Sequence, residues 1–166
     1  MATNARTGRA GDLGRGLVVG LCATTALDWV SFLLYDAESS ATRDAEDRAR
    51  GGRFPYDVAL ARIGNRLGRS LSDGAVSEWG WRFHKAFGLL GGVGYLALRR
   101  AFPRVRMGRG LAFGAAFFLV VDELLTPLLK LSPGRRAFSW KVHARGAAAH
   151  VAYGVAAEAA AALVET

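Results

Sequence analysis

The sequence predicts an all-α membrane protein: a bundle of four transmembrane helices with an additional amphipathic helix in its first loop. Three observations predict it. Apolar residues make up 51% of the 166-residue chain, and they gather in four long blocks, not in the periodic stripes of a soluble domain. Each block is close to the ~20 residues that cross a ~30 Å hydrocarbon core at 1.5 Å per residue. The basic residues, 22 against 14 acidic ones, stand at the ends of these blocks and do not form one face. A basic soluble protein that binds nucleic acid would show such a face, so nucleic acid is not an expected partner. A single domain of 1–166 is expected from the length.

The first block, residues 16–35, reads GLVVGLCATTALDWVSFLLY. It is longer than the apolar core of a secretory signal, and no small-x-small cleavage site follows it. The second block covers residues 81–102 and the third 110–131. The fourth, 142–164, is rich in alanine, which lipid favours only weakly, so this helix is expected to be packed by its neighbours. Residues 36–79 form a polar loop. Its first part, 36–53, is charged and small and reads as irregular chain. After Pro55, Leu60, Ile63, Leu67 and Leu71 share one helical face while Arg62, Arg66 and Arg69 occupy the other. Such a helix lies on a membrane surface or caps a bundle. The lone cysteine, Cys22, sits within the first block and excludes an internal disulfide.

Charge at the block ends sets an orientation. Let the N-terminal side be A and the opposite side B. The short connection between the second and third blocks carries Arg99, Arg100, Arg104, Arg106 and Arg109 without an acid, and it falls on side A with Arg6, Arg9 and Arg15. The last loop, with Arg135, Arg136, Lys141 and Arg145, weighs toward B. The long B-side loop balances its arginines with acids and counts for little. Side A is therefore read as cytoplasmic, with both termini there. Trp79, Trp81 and Trp140 all fall at B-side helix ends, where amphipathic rings favour an interface.

Two sets of residues stand out within the blocks. Gly16 and Gly20, Gly88 and Gly92, and Gly110 and Gly114 are each four apart, the spacing that lets helix backbones approach in lipid. The second set is ionisable. Charges at bilayer depth are costly unless paired, and they face a bundle interior. Asp28 lies 13 residues past Arg15, and Asp122 lies 13 past Arg109; both counts give about 20 Å from side A. His150, five residues past Arg145 on a helix running the other way, reaches a similar level, and His84 is slightly shallower. Glu158 lies two turns deeper toward A. Asp28, His84, Asp122, His150 and Glu158 are thus candidates for a ligand site or a proton relay, since imidazole titrates near neutrality. His84, Asp122 and His150 could instead hold a divalent metal, or the groups could simply bind one another, or pair with Arg82 or Lys85, and hold the bundle together. Pro127 removes a helix hydrogen bond and predicts a kink beside this layer.

The stretch from Phe83 to Pro133 resembles the core of the YagU-like bacterial inner-membrane proteins, a family of unknown function. The resemblance rests on a His opening the second helix, the VGY within it, FP followed by basic residues, the GxxxG start of the third helix, and a Pro near its end. AAHVAYGVAAE in the fourth block is similar to that family's GH…E pattern, and the likeness covers residues 81–160. It implies a multi-pass protein of the bacterial inner (plasma) membrane, loosely associated with acid tolerance, and it does not imply an enzyme. The excess of Arg over Lys with abundant Ala and Gly also resembles a bacterial source. By that comparison His84, His150 and Glu158 fall on family-like positions, whereas Asp122 stands where a relative carries His. No nucleophile motif, phosphate loop, CxxC or HExxH is present. Three functions remain open at this point. One is a non-enzymatic protein whose polar layer handles protons or a small ligand, with no cofactor. The second is an accessory subunit that packs against other subunits, or against itself, through its glycine faces. The third is a metal-binding membrane protein.

Overall fold

The computed structural model describes residues 2–165, with side chains from Gly11 onward; the side chains of Arg6 and Arg9 lie outside the described residues. Every regular element among the described residues is helical. In order these are α1 (Ala2–Asp36), α2 (Ser40–Arg50), α3 (Pro55–Arg66), α4 (Asp73–Ala101), α5 (Leu111–Val120), α6 (Thr126–Leu128) and α7 (Trp140–Val164). A π turn, Val121–Leu125, joins α5 to α6.

Among the described residues three segments are long and apolar enough to cross a membrane: Gly11–Asp36, Leu111–Leu128 and Trp140–Val164. The second predicted block lies in α4, which is not among them. Arg82, His84 and Lys85 near its start, and Arg99 and Arg100 at its end, leave only residues 86–98 free of charge. The predicted limits also shift. α4 begins eight residues before Trp81, at an N-cap where Ser72 Oγ accepts from Ala75 N at 3.4 Å. The third helix stops at Leu128, and its last carbonyls take side-chain donors from α3.

The outer surface of these helices is apolar. Leu21, Phe32 and Leu33 on α1, Leu111 and Leu119 on α5, and Leu124 in the π turn are all exposed. Rows of large exposed apolar side chains are what lipid requires and water penalises. The inner face is built from small residues and two tyrosines: Val19, Ala23, Tyr95, Tyr153, Ala157 and Ala161 are buried together. α7 lies between α1 and α5, and α4 lies against α1. The alanines of α7 thus serve close packing between neighbours.

Glycines set the spacing. A Cβ on Gly16 would stand 2.7 Å from Val93 Cα, one on Gly20 2.6 Å from Leu89 Cα, and one on Gly92 2.6 Å from Gly16 O; one on Gly88 would strike Thr24. Gly16 and Gly20 of α1 therefore interlock with Gly88 and Gly92 of α4. On the other side, a Cβ on Gly114 would lie 2.8 Å from Val151 Cα, and one on Gly154 2.6 Å from Gly114 N. Gly110 meets the same Gly154 backbone, so α5 and α7 close in the same way. α4 and α5 instead meet through rings, with Tyr95 and Phe113 centroids 4.7 Å apart and Phe87 and Phe117 6.3 Å apart.

The polar loop departs from expectation. Residues 40–50 are helical, not irregular. Ser39 caps the start, its Oγ accepting from Thr42 N at 3.3 Å, and Gly51 closes the end at φ 65°. The charged residues that suggested a loop are partners of other elements. Arg43 donates to the carbonyls of Tyr35, Asp36 and Glu38 at the end of α1. Glu46 is buried under α7, where Arg145 Nη2 donates to both of its oxygens, at 2.5 and 2.6 Å. α3 packs on α4. Its Arg62 donates to the carbonyls of Leu129 and Lys130, satisfying helix-end acceptors that would otherwise lack donors. α3 therefore spans from α4 to the end of α6.

Candidate functional site

The four long helices leave a cavity of about 380 Å³ on the B side. It is lined by Asp28 and Ser31 of α1, Tyr56 of α3, His84 and Phe87 of α4, Phe117 of α5, Asp122 and Glu123 of the π turn, and His143 and His150 of α7. Asp28, His84, Asp122 and His150 thus share one space, because each depth count lands at the same level. They do not share one centre. His84 Nε2 donates to Asp28 Oδ1 at 3.0 Å, and Lys85 Nζ contacts the other oxygen. His150 Nδ1 donates to its own helix, to Gly146 O at 2.9 Å, and stands 3.6 Å from Asp122 Oδ2.

Among the described residues no three His, Cys, Asp or Glu side chains come together around a point where a metal could sit. The predicted set His84, Asp122 and His150 does not close around one point: His84 is bonded to Asp28, and His150 stands 3.6 Å from Asp122. Glu158 lies outside the cavity altogether. Tyr95 Oη donates to it at 2.5 Å, Arg99 Nε at 2.8 Å and Arg106 Nε at 3.2 Å. Arg99 also contacts Glu165, and Arg100 bridges Glu165 and Asp12. Glu158 is therefore the centre of an A-side charge network that ties α4 and α7 together.

Two adjacent acids, Asp122 and Glu123, both line the cavity, and they lie in the π turn. On a regular helix Glu123 would point about 100° away from Asp122. Pro127 has no N–H, and Thr126 N reaches back five residues to Val121 O, widening the turn. Thr126 Oγ1 donates to Asp122 O at 2.6 Å, which replaces a backbone donor. Glu123 then meets His143, whose Nδ1 donates to Oε1 at 2.6 Å and whose Nε2 donates to Arg135 O at 3.0 Å. His143 and His150 are seven residues apart, two turns on one helix face. His143 was missed in the sequence because it sits beside Lys141 and Arg145 and reads as part of a basic loop. Lys85 and Arg82 of α4 serve Asp28 and Glu78.

The mouth of the cavity carries a second group that sequence reasoning did not assemble. Arg145 is buried and donates to Glu38 Oε1 at 2.6 Å as well as to Glu46, with its guanidinium 5.0 Å from the centre of the Tyr35 ring. Arg50 contacts the same Glu46. Burial, with Arg145 nearby, pushes the Arg50 guanidinium down to about 10, so it remains charged at neutral pH. Tyr56 is stacked near His84, with centroids 5.3 Å apart, and burial raises its phenol above the usual range. It therefore faces the cavity as a neutral hydroxyl. Trp81 stacks on His84 at 5.2 Å and meets Tyr56 edge-on at 6.4 Å, so the three rings form a cluster. Aromatic faces and a few polar groups thus make up the wall, the usual composition of small-ligand chambers. Comparison of the chain with protein-family models, with curated proteins and with solved structures returns no match.

Proposed function

We propose that this chain is a four-span protein of the bacterial inner membrane, both termini cytoplasmic, whose B-side cavity is a binding chamber for a small ligand. The cavity carries the reading: about 380 Å³ is within the range of ligand sites, and its wall presents three carboxylates and three imidazoles, Asp28, Asp122, Glu123, His84, His143 and His150.

Several features support the membrane placement. α4 is 29 residues long, about 43 Å, and its glycines seat it along α1 as if to share α1's depth. Its charges lie near its two ends, where long side chains reach the interface. Trp29, Trp79 and Trp140, all on the B side, are 72%, 51% and 74% exposed, as interfacial anchors would be. The opposing charge of the last loop is weakened, since Arg145 is matched by Glu38 and Glu46, and Arg135 stands 3.8 Å from Glu123. The resemblance to YagU-like proteins agrees with this placement. The glycine faces on which an accessory-subunit role would rely pack within the chain, which favours the chamber reading. A link to acid tolerance would act through the imidazole pairs of the chamber.

A thermal-stability screen of the purified chain against small polar compounds tests the chamber. Compounds that raise the melting temperature should lose their effect in Ser31→Trp, which fills the cavity. A screen without a stabilising compound, or stabilisation indifferent to Ser31→Trp, would overturn the reading.

A further inference from the structure

We propose that the ligand of this cavity is a small organic cation, an ammonium compound about the size of one substituted ring, with Asp122 as its counter-ion. The proposal rests on the reading of the cavity as a ligand chamber and adds the ligand's chemical class.

The warrant is a charge that its neighbours leave unmatched. Each other carboxylate at the cavity has a direct partner. Asp28 is held by His84 and Lys85, and Glu123 by His143 with Arg135 beyond it. The arginines at the mouth are likewise engaged: Arg145 with Glu38 and Glu46, Arg50 with Glu46, and Arg53 with Asp73. Asp122 has no side-chain hydrogen bond among the described residues. Its nearest basic atom, His150 Nδ1 at 3.6 Å, already donates to Gly146 O. The Asp122 side chain keeps 40% of its surface accessible, so a ligand can reach it. A carboxylate at bilayer depth whose nearest basic atom is 3.6 Å away and already donates elsewhere is costly, and a bound cation would remove that cost.

The surroundings select the kind of cation. An inorganic ion such as Mg²⁺ or Ca²⁺ needs six or more oxygen ligands, and no such cage exists here. Beside Asp122 the wall is aromatic. Phe117 and Phe118 flank His150 with ring centres 5.4 and 5.7 Å away, and Phe87 stacks on Phe117. Ring faces attract alkylammonium groups and ask for no oxygen shell. One carboxylate plus several rings is therefore a site for an organic ammonium group.

The test uses the full chain in a sugar-headgroup detergent, which carries no ammonium. Titration calorimetry would compare three probes of similar size: benzyltrimethylammonium, benzyl alcohol and benzoate. The cation should bind saturably and at least tenfold more tightly than the other two. Asp122→Asn should weaken it about tenfold, and Phe117→Leu severalfold, while Glu158→Gln should leave it unchanged. Charge selectivity in the unmodified protein keeps the test decisive even if Asp122→Asn fails to fold. Tighter binding of the alcohol or benzoate would overturn the cation and leave the chamber standing. Binding of none of the three, with no hit in the wider screen, would remove both. Cation binding that Asp122→Asn and Phe117→Leu leave unaltered would place it elsewhere and overturn the proposal.

Discussion

Replacing Arg145 with methionine probes the junction that closes the cavity. Arg145 is 6% exposed, and its guanidinium makes three hydrogen bonds to Glu38 and Glu46 within 2.5–2.6 Å. Methionine keeps most of the volume but leaves both carboxylates in place. Removing one partner of a buried ion pair costs about 3–5 kcal/mol, because the remaining charge is stranded. Arg50 still reaches Glu46, which holds the expected loss near the lower bound, about 3 kcal/mol. For a chain of this size each kcal/mol lowers the melting temperature by roughly 2–4 °C, so a fall of roughly 6–12 °C is expected. Thermal melts in detergent, followed by tryptophan fluorescence, measure it against Arg136→Met, an exposed neighbour. Adding Glu38→Gln to Arg145→Met removes the carboxylate whose side-chain partner was Arg145 and should restore at least half of the loss, a coupling that additive effects would not produce. If Arg145→Met melts within error of Arg136→Met, the junction does not hold α2 to α7 and the reasoning fails.

Other outcomes follow from the same contacts. Gly92→Leu should destabilise by at least the ~1–3 kcal/mol of ordinary overpacking, because its neighbours are backbone atoms; Gly94→Leu, with open space around it, should be close to neutral in the same melt. Asp28→Leu should cost about 3–5 kcal/mol by stranding His84 and Lys85, whereas Asp122→Leu should cost under ~1 kcal/mol, since His150 keeps its bond to Gly146; equal losses in a chemical-denaturation comparison would contradict the pairing described. Reporter fusions after Thr166 and within residues 39–50 should mark the C-terminus as cytoplasmic and the loop as extracytoplasmic, and the reverse pattern would invert the orientation.

The sequence was a better guide to depth than to rotation. Counting from the flanking arginines places Asp28, Asp122 and His150 at one level because helical rise is constant. Which side chains touch depends on rotation about each axis, and a single added residue in the π turn changes that by a whole side-chain direction. Asp28 was therefore legible as a buried acid and Lys85 as a candidate partner for the layer, but not that Lys85 would serve Asp28 in particular. The glycine spacing pointed to close contacts, but not to which helices would share them. α2 was hidden for a different reason: its stability comes from Arg145 and the end of α1, a hundred residues of sequence away in one case, and its own composition reads as solvated chain. The same long-range pairing concealed Arg145, which resembles any basic residue in a loop until Glu38 and Glu46 are brought to it.

The π turn at Val121–Leu125 also has a consequence for how this protein tolerates changes in length. Elsewhere in a tightly packed helix, losing one residue turns everything beyond it by about 100° and misaligns every contact. Here the helix already holds one residue more than regular winding would use. Deleting Leu124, whose side chain is exposed, would let the segment rewind as ordinary α-helix with Leu111–Val120 and Thr126–Leu128 near their present places. Thr126 N would then reach Val121 O across the ordinary four-residue spacing, and the Asp122 carbonyl would face Pro127, which has no N–H. The slack in the backbone is thus confined to the stretch that carries both acids, and a change of length there would reach the wall of the cavity with little disturbance to the helices packed around it.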